Sequence, residues 1–133
     1  MKSDYSKLAQ AAIDAKKLAM PTYSNFHVGA ALLTSDDEII LGCNIEISSY
    51  SLTLCAERVA IFKAISDGKR KFKAIAIASD FEGFISPCGA CRQVISELCG
   101  EVDVILTNSK AEFEVYTPAQ LLPYAFNDSQ LPS

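Results

Sequence analysis

Leu8, Ala11, Ala12, Ala15, Leu18 and Ala19 recur at helical spacing and Pro21 follows as a stop, which predicts an amphipathic helix over Asp4–Ala19 covering one face of a sheet. Val28–Thr34 and Glu38–Asn44 are short apolar runs separated by the polar Ser35-Asp36-Asp37, a pattern that suits a hairpin. Helical periodicity returns in Cys55–Ser66, through Val59, Ala60, Phe62, Lys63 and Ile65, and stops at Asp67-Gly68, where glycine can take the left-handed cap. Phe72–Ser79 is nearly continuous in apolar residues, as expected of a strand buried on both faces. Cys88–Cys99 predicts another helix, with Val94, Ile95 and Leu98 on one side and Gly100 at its end. Val102–Thr107 and Glu112–Tyr116 complete five strands, and Thr117-Pro118 opens a short helix.

The link Asn108–Ala111 can join antiparallel strands but is too short for a parallel crossover, which needs about a dozen residues. The two strand-helix-strand units built on the cysteine-bearing helices should be right-handed and parallel. The expected fold is therefore α/β, a three-layer α-β-α arrangement around a mixed five-stranded sheet whose strands 4 and 5 are antiparallel. At 133 residues the chain suits one domain, residues 1–133, with a disordered or extended tail from about 127 to 133.

Charge and composition narrow the function. Half the residues are hydrophobic and the net charge is −4, which opposes a protein that holds a phosphate backbone through counterion release. Lys2, Asp4, Lys7, Asp14, Lys16 and Lys17 break any signal-peptide core or membrane span in the first twenty residues. We expect no nucleic-acid partner, no membrane association and a cytoplasmic location. Five cysteines is an odd number for a disulfide framework, so metal binding or burial is favoured. Cys43 and Cys99 sit among apolar neighbours and read as small core residues.

The remaining three form Cys55-Ala56-Glu57 and Pro87-Cys88-Gly89-Ala90-Cys91, each at a helix entrance. A helix entrance favours thiolates, because its unpaired N–H groups and positive dipole end face the sulfur. Three thiolates on Zn²⁺ leave the fourth coordination position open, which is the arrangement of catalytic rather than structural sites. His27, the only histidine, precedes a strand and is a poor fourth ligand. Three thiolates also leave the metal site at net charge −1; Arg58 can draw charge from sulfur by hydrogen bonding, with Gln93 as a second contributor.

These two motifs resemble, in its three-cysteine form, the signature of zinc-dependent nucleobase deaminases. The wider chain, from about Ala9 to Phe126, resembles the small homotetrameric cytidine deaminases. The likeness includes Pro21–Leu32, Gly42-Cys43-Asn44-Ile45-Glu46, Ser86–Leu98, Leu121-Leu122-Pro123 and Phe126. It implies that Cys55, Cys88 and Cys91 bind one Zn²⁺ per subunit and that Glu57 is the acid/base, moving protons from water to ring N3 and to the amino group leaving C4. It also implies that Phe26 packs on the cytosine ring, that Asn44 and Glu46 hold the ribose 3′-hydroxyl, and that the Ala56 N–H assists at the base. Phe126 and Tyr50 would stand at the border with a neighbouring subunit's site. The implied activity is conversion of cytidine and 2′-deoxycytidine to uridine and 2′-deoxyuridine plus ammonia, in pyrimidine salvage.

One position departs from the pattern: Ile47 stands where the family usually has Asn, so an amide is lost beside the ribose contacts, and Ser48 and Ser49 are the nearest polar side chains to compensate. Competing readings are a deaminase of a larger cytosine nucleoside such as blasticidin S, a tRNA or DNA base editor, and a non-catalytic zinc-stabilised binding domain. The editors tend to have a parallel fifth strand and a basic surface, and a binding domain has no need of Glu57.

Overall fold

The computed structural model describes residues 4–127 and residue 131. Its elements are α1 (Ser6–Ala15), β1 (Val28–Thr34), β2 (Ile39–Cys43), α2 (Ala56–Ser66), β3 (Phe72–Ser79), α3 (Gly89–Val94), β4 (Asp103–Thr107), β5 (Phe113–Tyr116) and α4 (Pro118–Leu121). Short 3-10 turns at Lys16–Leu18 and Tyr50–Leu52 and a π turn at Ile95–Cys99 complete it. Every expected element is present. The expected first helix tightens into the 3-10 turn after Ala15, and the second cysteine-bearing helix widens into the π turn after Val94. Most of the tail expected from about 127 lies outside the described residues.

The strands form one sheet in the order β2-β1-β3-β4-β5. β1 is antiparallel to both β2 and β3, β3 and β4 are parallel, and β4 and β5 are antiparallel. The α3 unit therefore joins adjacent parallel strands. The α2 unit joins β2 and β3, which run in the same direction but have β1 between them, an insertion that strand patterning does not reveal.

Alternation along the strands divides the core in two. Ala30, Leu32, Ile75, Ile77, Val104 and Leu106 face α2 and the α3 segment, packing with Ala60, Ile61, Ala64 and Ile95. Ala31, Ala74, Ala76, Ala78 and Ile105 face α1, where Tyr5, Leu8 and Ala12 cover them. Burying each large aliphatic side chain contributes about 1.5–3 kcal/mol. Two strand glycines permit close helix approach: a Cβ on Gly29 would lie 2.1 Å from the Ala12 carbonyl oxygen, and one on Gly42 would lie 2.3 Å from that of Ala56. Gly68, at φ +91°, closes α2: its N–H bonds to Ile65 O at 3.0 Å and that of Lys69 to Ala64 O at 3.0 Å, the two bonds of a Schellman cap. No helix among the described residues is long and apolar enough to cross a membrane.

Candidate active site

Cys55 and Cys88 are the N-cap residues of α2 and α3, both in extended backbone conformation, and Cys91 lies within the first turn of α3. Packing α2 and α3 on the same face of the sheet brings the two helix entrances together, and the three Sγ atoms lie within 4.8 Å of one another. Cys55 Sγ is 3.8 Å from Cys88 Sγ. Sulfurs bound at about 2.3 Å to a tetrahedral zinc stand about 3.8 Å apart, so the cluster has the spacing and the donor chemistry to hold that ion. Cys43 and Cys99 are not in the cluster. Burial pushes the Cys99 thiol up to about 12, in keeping with a packing role.

The thiols are electrostatically unequal. A hydrogen bond from the Cys91 thiol outweighs burial and, together with Arg58, brings Cys55 down to about 5. Cys91, donating that bond and buried, is correspondingly raised. Arg58 Nη2 lies 3.5 Å from Cys55 Sγ and also donates to the Thr53 carbonyl at 3.4 Å. It thus stands where the sequence places a counter-charge for sulfur.

Glu57 lies on the buried stripe of α2 with Ala56, Ala60, Ile61 and Ala64, and is only 4% exposed. Burial pushes its carboxyl up to about 7, with the Cys55 charge adding to the rise. It lines a cavity of about 240 Å³ together with Cys55, Cys88, Ala56, Asn44 and Glu46. As the first residue of α2, Ala56 has an N–H without a carbonyl partner inside the helix.

The expected sugar-side residues are joined by hydrogen bonds among themselves. Asn44 is 7% exposed; its Nδ2 donates to Phe26 O at 2.8 Å and its Oδ1 accepts from Val28 N at 2.9 Å. Glu46 Oε1 accepts from the N–H groups of Tyr23 and Ser24 at 2.9 and 2.8 Å, and Oε2 from the Ser24 hydroxyl at 2.5 Å. These bonds, the Ser24 hydroxyl first, hold the Glu46 carboxyl below its usual range. The loop carrying Phe26 is further clamped by Asp80, which accepts from His27 N at 2.7 Å and pairs with His27 Nδ1 at 2.8 Å.

Phe26 is half-buried, and neither it nor the exposed Phe126 lines the cavity. Gln93 Nε2 donates to the Phe126 carbonyl at 2.8 Å, so two residues expected at different places meet in one tail contact. Tyr50 belongs to a 3-10 turn, and its side chain lies outside the described residues.

The structure also adds residues that pattern did not single out. Thr53 and Ser86 line the cavity. Arg92 fixes the loop before Cys88, donating to Ser86 Oγ at 2.6 Å, Pro87 O at 2.8 Å and Leu121 O at 2.6 Å. Its place directly after Cys91, inside the Ser86–Leu98 stretch, was the available signal.

Residues 2–107 match the family model described as the cytidine and deoxycytidylate deaminase zinc-binding region. The chain belongs to this deaminase family. Zinc is accordingly the metal that the three-thiol cluster suits. This family member is 55% identical over 129 residues to the cytidine deaminase of Sporosarcina psychrophila, covering 96% of this chain and 95% of that one. Among solved structures it resembles cytidine deaminase from Burkholderia pseudomallei, with a TM-score of 0.89, 46% identity, and coverage of 93% of this chain and 100% of that one. A blasticidin-S deaminase from Bacillus cereus is 36% identical over 88 residues, 60% of this chain and 63% of that one.

Proposed function

We propose that the chain is a zinc-dependent cytidine deaminase, hydrolysing cytidine and 2′-deoxycytidine to uridine and 2′-deoxyuridine plus ammonia. The observation that carries this reading is the buried Glu57 lining one small cavity with Cys55 and Cys88. A carboxylate taken out of water next to three convergent thiols serves no packing purpose. It suits a proton carrier whose affinity for protons lies near neutrality.

Cys55, Cys88 and Cys91 would hold zinc, which would supply the Lewis acidity that makes water a nucleophile near neutral pH. Glu57 takes one proton from that water and delivers it to ring N3 as the C4–O bond forms. It then passes the remaining hydroxyl proton to the amino group, and ammonia leaves as the C4–N bond breaks. Arg58 draws negative charge from Cys55, and the Ala56 N–H orients the base. Phe26 packs on the ring, while Asn44 and Glu46 receive the ribose 3′-hydroxyl. A carboxylate at Glu46 accepts from a hydroxyl and repels a phosphate, so nucleotides are poor substrates.

We further propose a homotetramer with sites shared between subunits, Phe126 and Tyr50 standing at the shared border. Exposed Met20, Tyr23 and Leu52 on the segments flanking Glu46 support an apolar contact there. A cytoplasmic location suits five unpaired thiols.

Blasticidin S is the second reading for substrate, favoured by the shorter likeness to its deaminase. A polynucleotide substrate is opposed by the net charge of −4 and by the antiparallel β4–β5 pair. The test is the ultraviolet change on incubating the purified protein with cytidine, deoxycytidine, CMP and blasticidin S, beside a Glu57→Ala control. Turnover of the two free nucleosides that is lost in the control supports the proposal. A folded, zinc-loaded sample that leaves both untouched refutes it.

A further inference from the structure

Ile47 is 41% exposed, so its side chain does little to hold the segment behind Glu46. Its backbone is nevertheless held on both sides by one hydroxyl. Ile47 N–H donates to Thr53 Oγ1 at 3.0 Å, and Thr53 Oγ1 donates to Ile47 O at 3.3 Å. Two residues earlier the same job is done by backbone, since Ile45 and Leu54 exchange two N–H···O bonds of 3.0 Å each. That ladder stops after one pair: Leu52 N–H turns to Ser49 O at 2.8 Å and is lost to Ile47. A hydroxyl can replace the missing strand because it offers one donor and two acceptor lone pairs.

Glu46 therefore lies between two pinned neighbours, Ile45 held by Leu54 and Ile47 held by Thr53. Residues 53 and 54 run directly into Cys55. The Thr53 carbonyl accepts Arg58 Nη2 at 3.4 Å, and that same nitrogen lies 3.5 Å from Cys55 Sγ. Thr53 also lines the cavity beside Glu46. One residue thus links the backbone directly after Glu46 to the guanidinium that contacts Cys55 Sγ.

We propose that Thr53 is a positioning residue that sets the distance between the Glu46 carboxylate and the thiol cluster, and so tunes recognition of the sugar end of the nucleoside. This rests on the cytidine deaminase reading above. The hydroxyl at Thr53 performs the backbone anchoring that the aliphatic side chain of Ile47 cannot.

The test compares Thr53→Val, which removes the hydroxyl at nearly constant shape, with Thr53→Ser, which keeps it. Removing one such anchor should raise KM for cytidine about fivefold or more, with kcat changed less than about twofold. The preference for cytidine over 3′-deoxycytidine should shrink in Thr53→Val and return in Thr53→Ser. Hydrogen exchange at the Ile47 amide should quicken in Thr53→Val alone. Unchanged KM and unchanged Ile47 exchange in Thr53→Val would overturn the proposal. So would equal behaviour of the two variants, which would assign the effect to packing of the methyl group. If the unmodified protein does not turn over cytidine, the functional reading fails by itself, and the Ile47 exchange comparison still decides whether the hydroxyl anchors this segment.

Discussion

Asn44 holds Phe26 through the backbone: its Nδ2 donates to the Phe26 carbonyl at 2.8 Å while its Oδ1 accepts from Val28 N at 2.9 Å. A single buried amide therefore sets where β1 begins and where the preceding aromatic stands. Asn44→Asp replaces the donor with an acceptor that faces a carbonyl and the Glu46 carboxylate. It should cost about 2–3 kcal/mol of stability, since it leaves a buried carbonyl unpaired. Thermal unfolding should show a lower Tm, and KM for cytidine should rise more than kcat falls.

Glu57→Gln keeps the shape of the side chain and removes its proton affinity. Activity should fall by roughly 10²–10⁴. Bound zinc, measured by metal analysis, should remain near one ion per chain, because the three thiols are untouched. Loss of the metal together with activity would assign Glu57 to holding the site rather than to proton transfer.

Cysteine substitutions should sort into two groups. Cys88→Ala breaks the three-thiol cluster and should abolish zinc retention and turnover; a chelator applied to the unmodified protein should do the same, reversibly on adding zinc. Cys99→Ala lies outside the cluster and should keep both, with a small loss of Tm from the shortened side chain. Zinc content and turnover measured on the same preparations distinguish the two.

The two strand glycines predict different consequences from the same chemical change. Gly29→Ala places a methyl group against the α1 backbone, far from the thiols in sequence and on the opposite face of the sheet. Gly42→Ala places one against Ala56 O and Ala60 N, at 2.3 and 2.6 Å, and so displaces the entrance of α2 that carries Cys55. Both should destabilise by about 1–3 kcal/mol or more. Only Gly42→Ala should also weaken zinc affinity in a chelator competition.

Glu46 makes docking of the Tyr23–Ser24 turn dependent on pH. Its carboxyl is held below the usual glutamate range by the Ser24 hydroxyl and the Ser24 and Tyr23 N–H groups, so the folded protein favours the ionised form. The contribution is fully present above the unfolded value and fades as pH falls through the lower folded one. Measured relative to the intrinsic exchange rate at each pH, protection of the Tyr23 and Ser24 amides should fall in that acidic window, and Glu46→Gln should leave that protection low and independent of pH.

Much of this protein follows from its sequence because the relevant signals are local. Strand alternation, helical spacing, Gly68 after α2 and the short link before β5 each act within a few residues, and the elements form where they point. The meeting of the three thiols was equally legible, since it follows from residue type and spacing next to helix entrances. Placement of β1 between β2 and β3 was not, because strand neighbours are chosen by packing of whole sheet faces. Nor was the anchoring of Ile47, for which Ser48 and Ser49 were the nearer choices in sequence. Thr53 takes that role because the chain reverses through the Tyr50–Leu52 turn and returns its hydroxyl to the Ile47 backbone. Gln93 likewise turns to the Phe126 carbonyl, a partner 33 residues away. Residue type sets what a side chain can donate or accept, whereas only the folded chain decides which unpaired group lies within its reach.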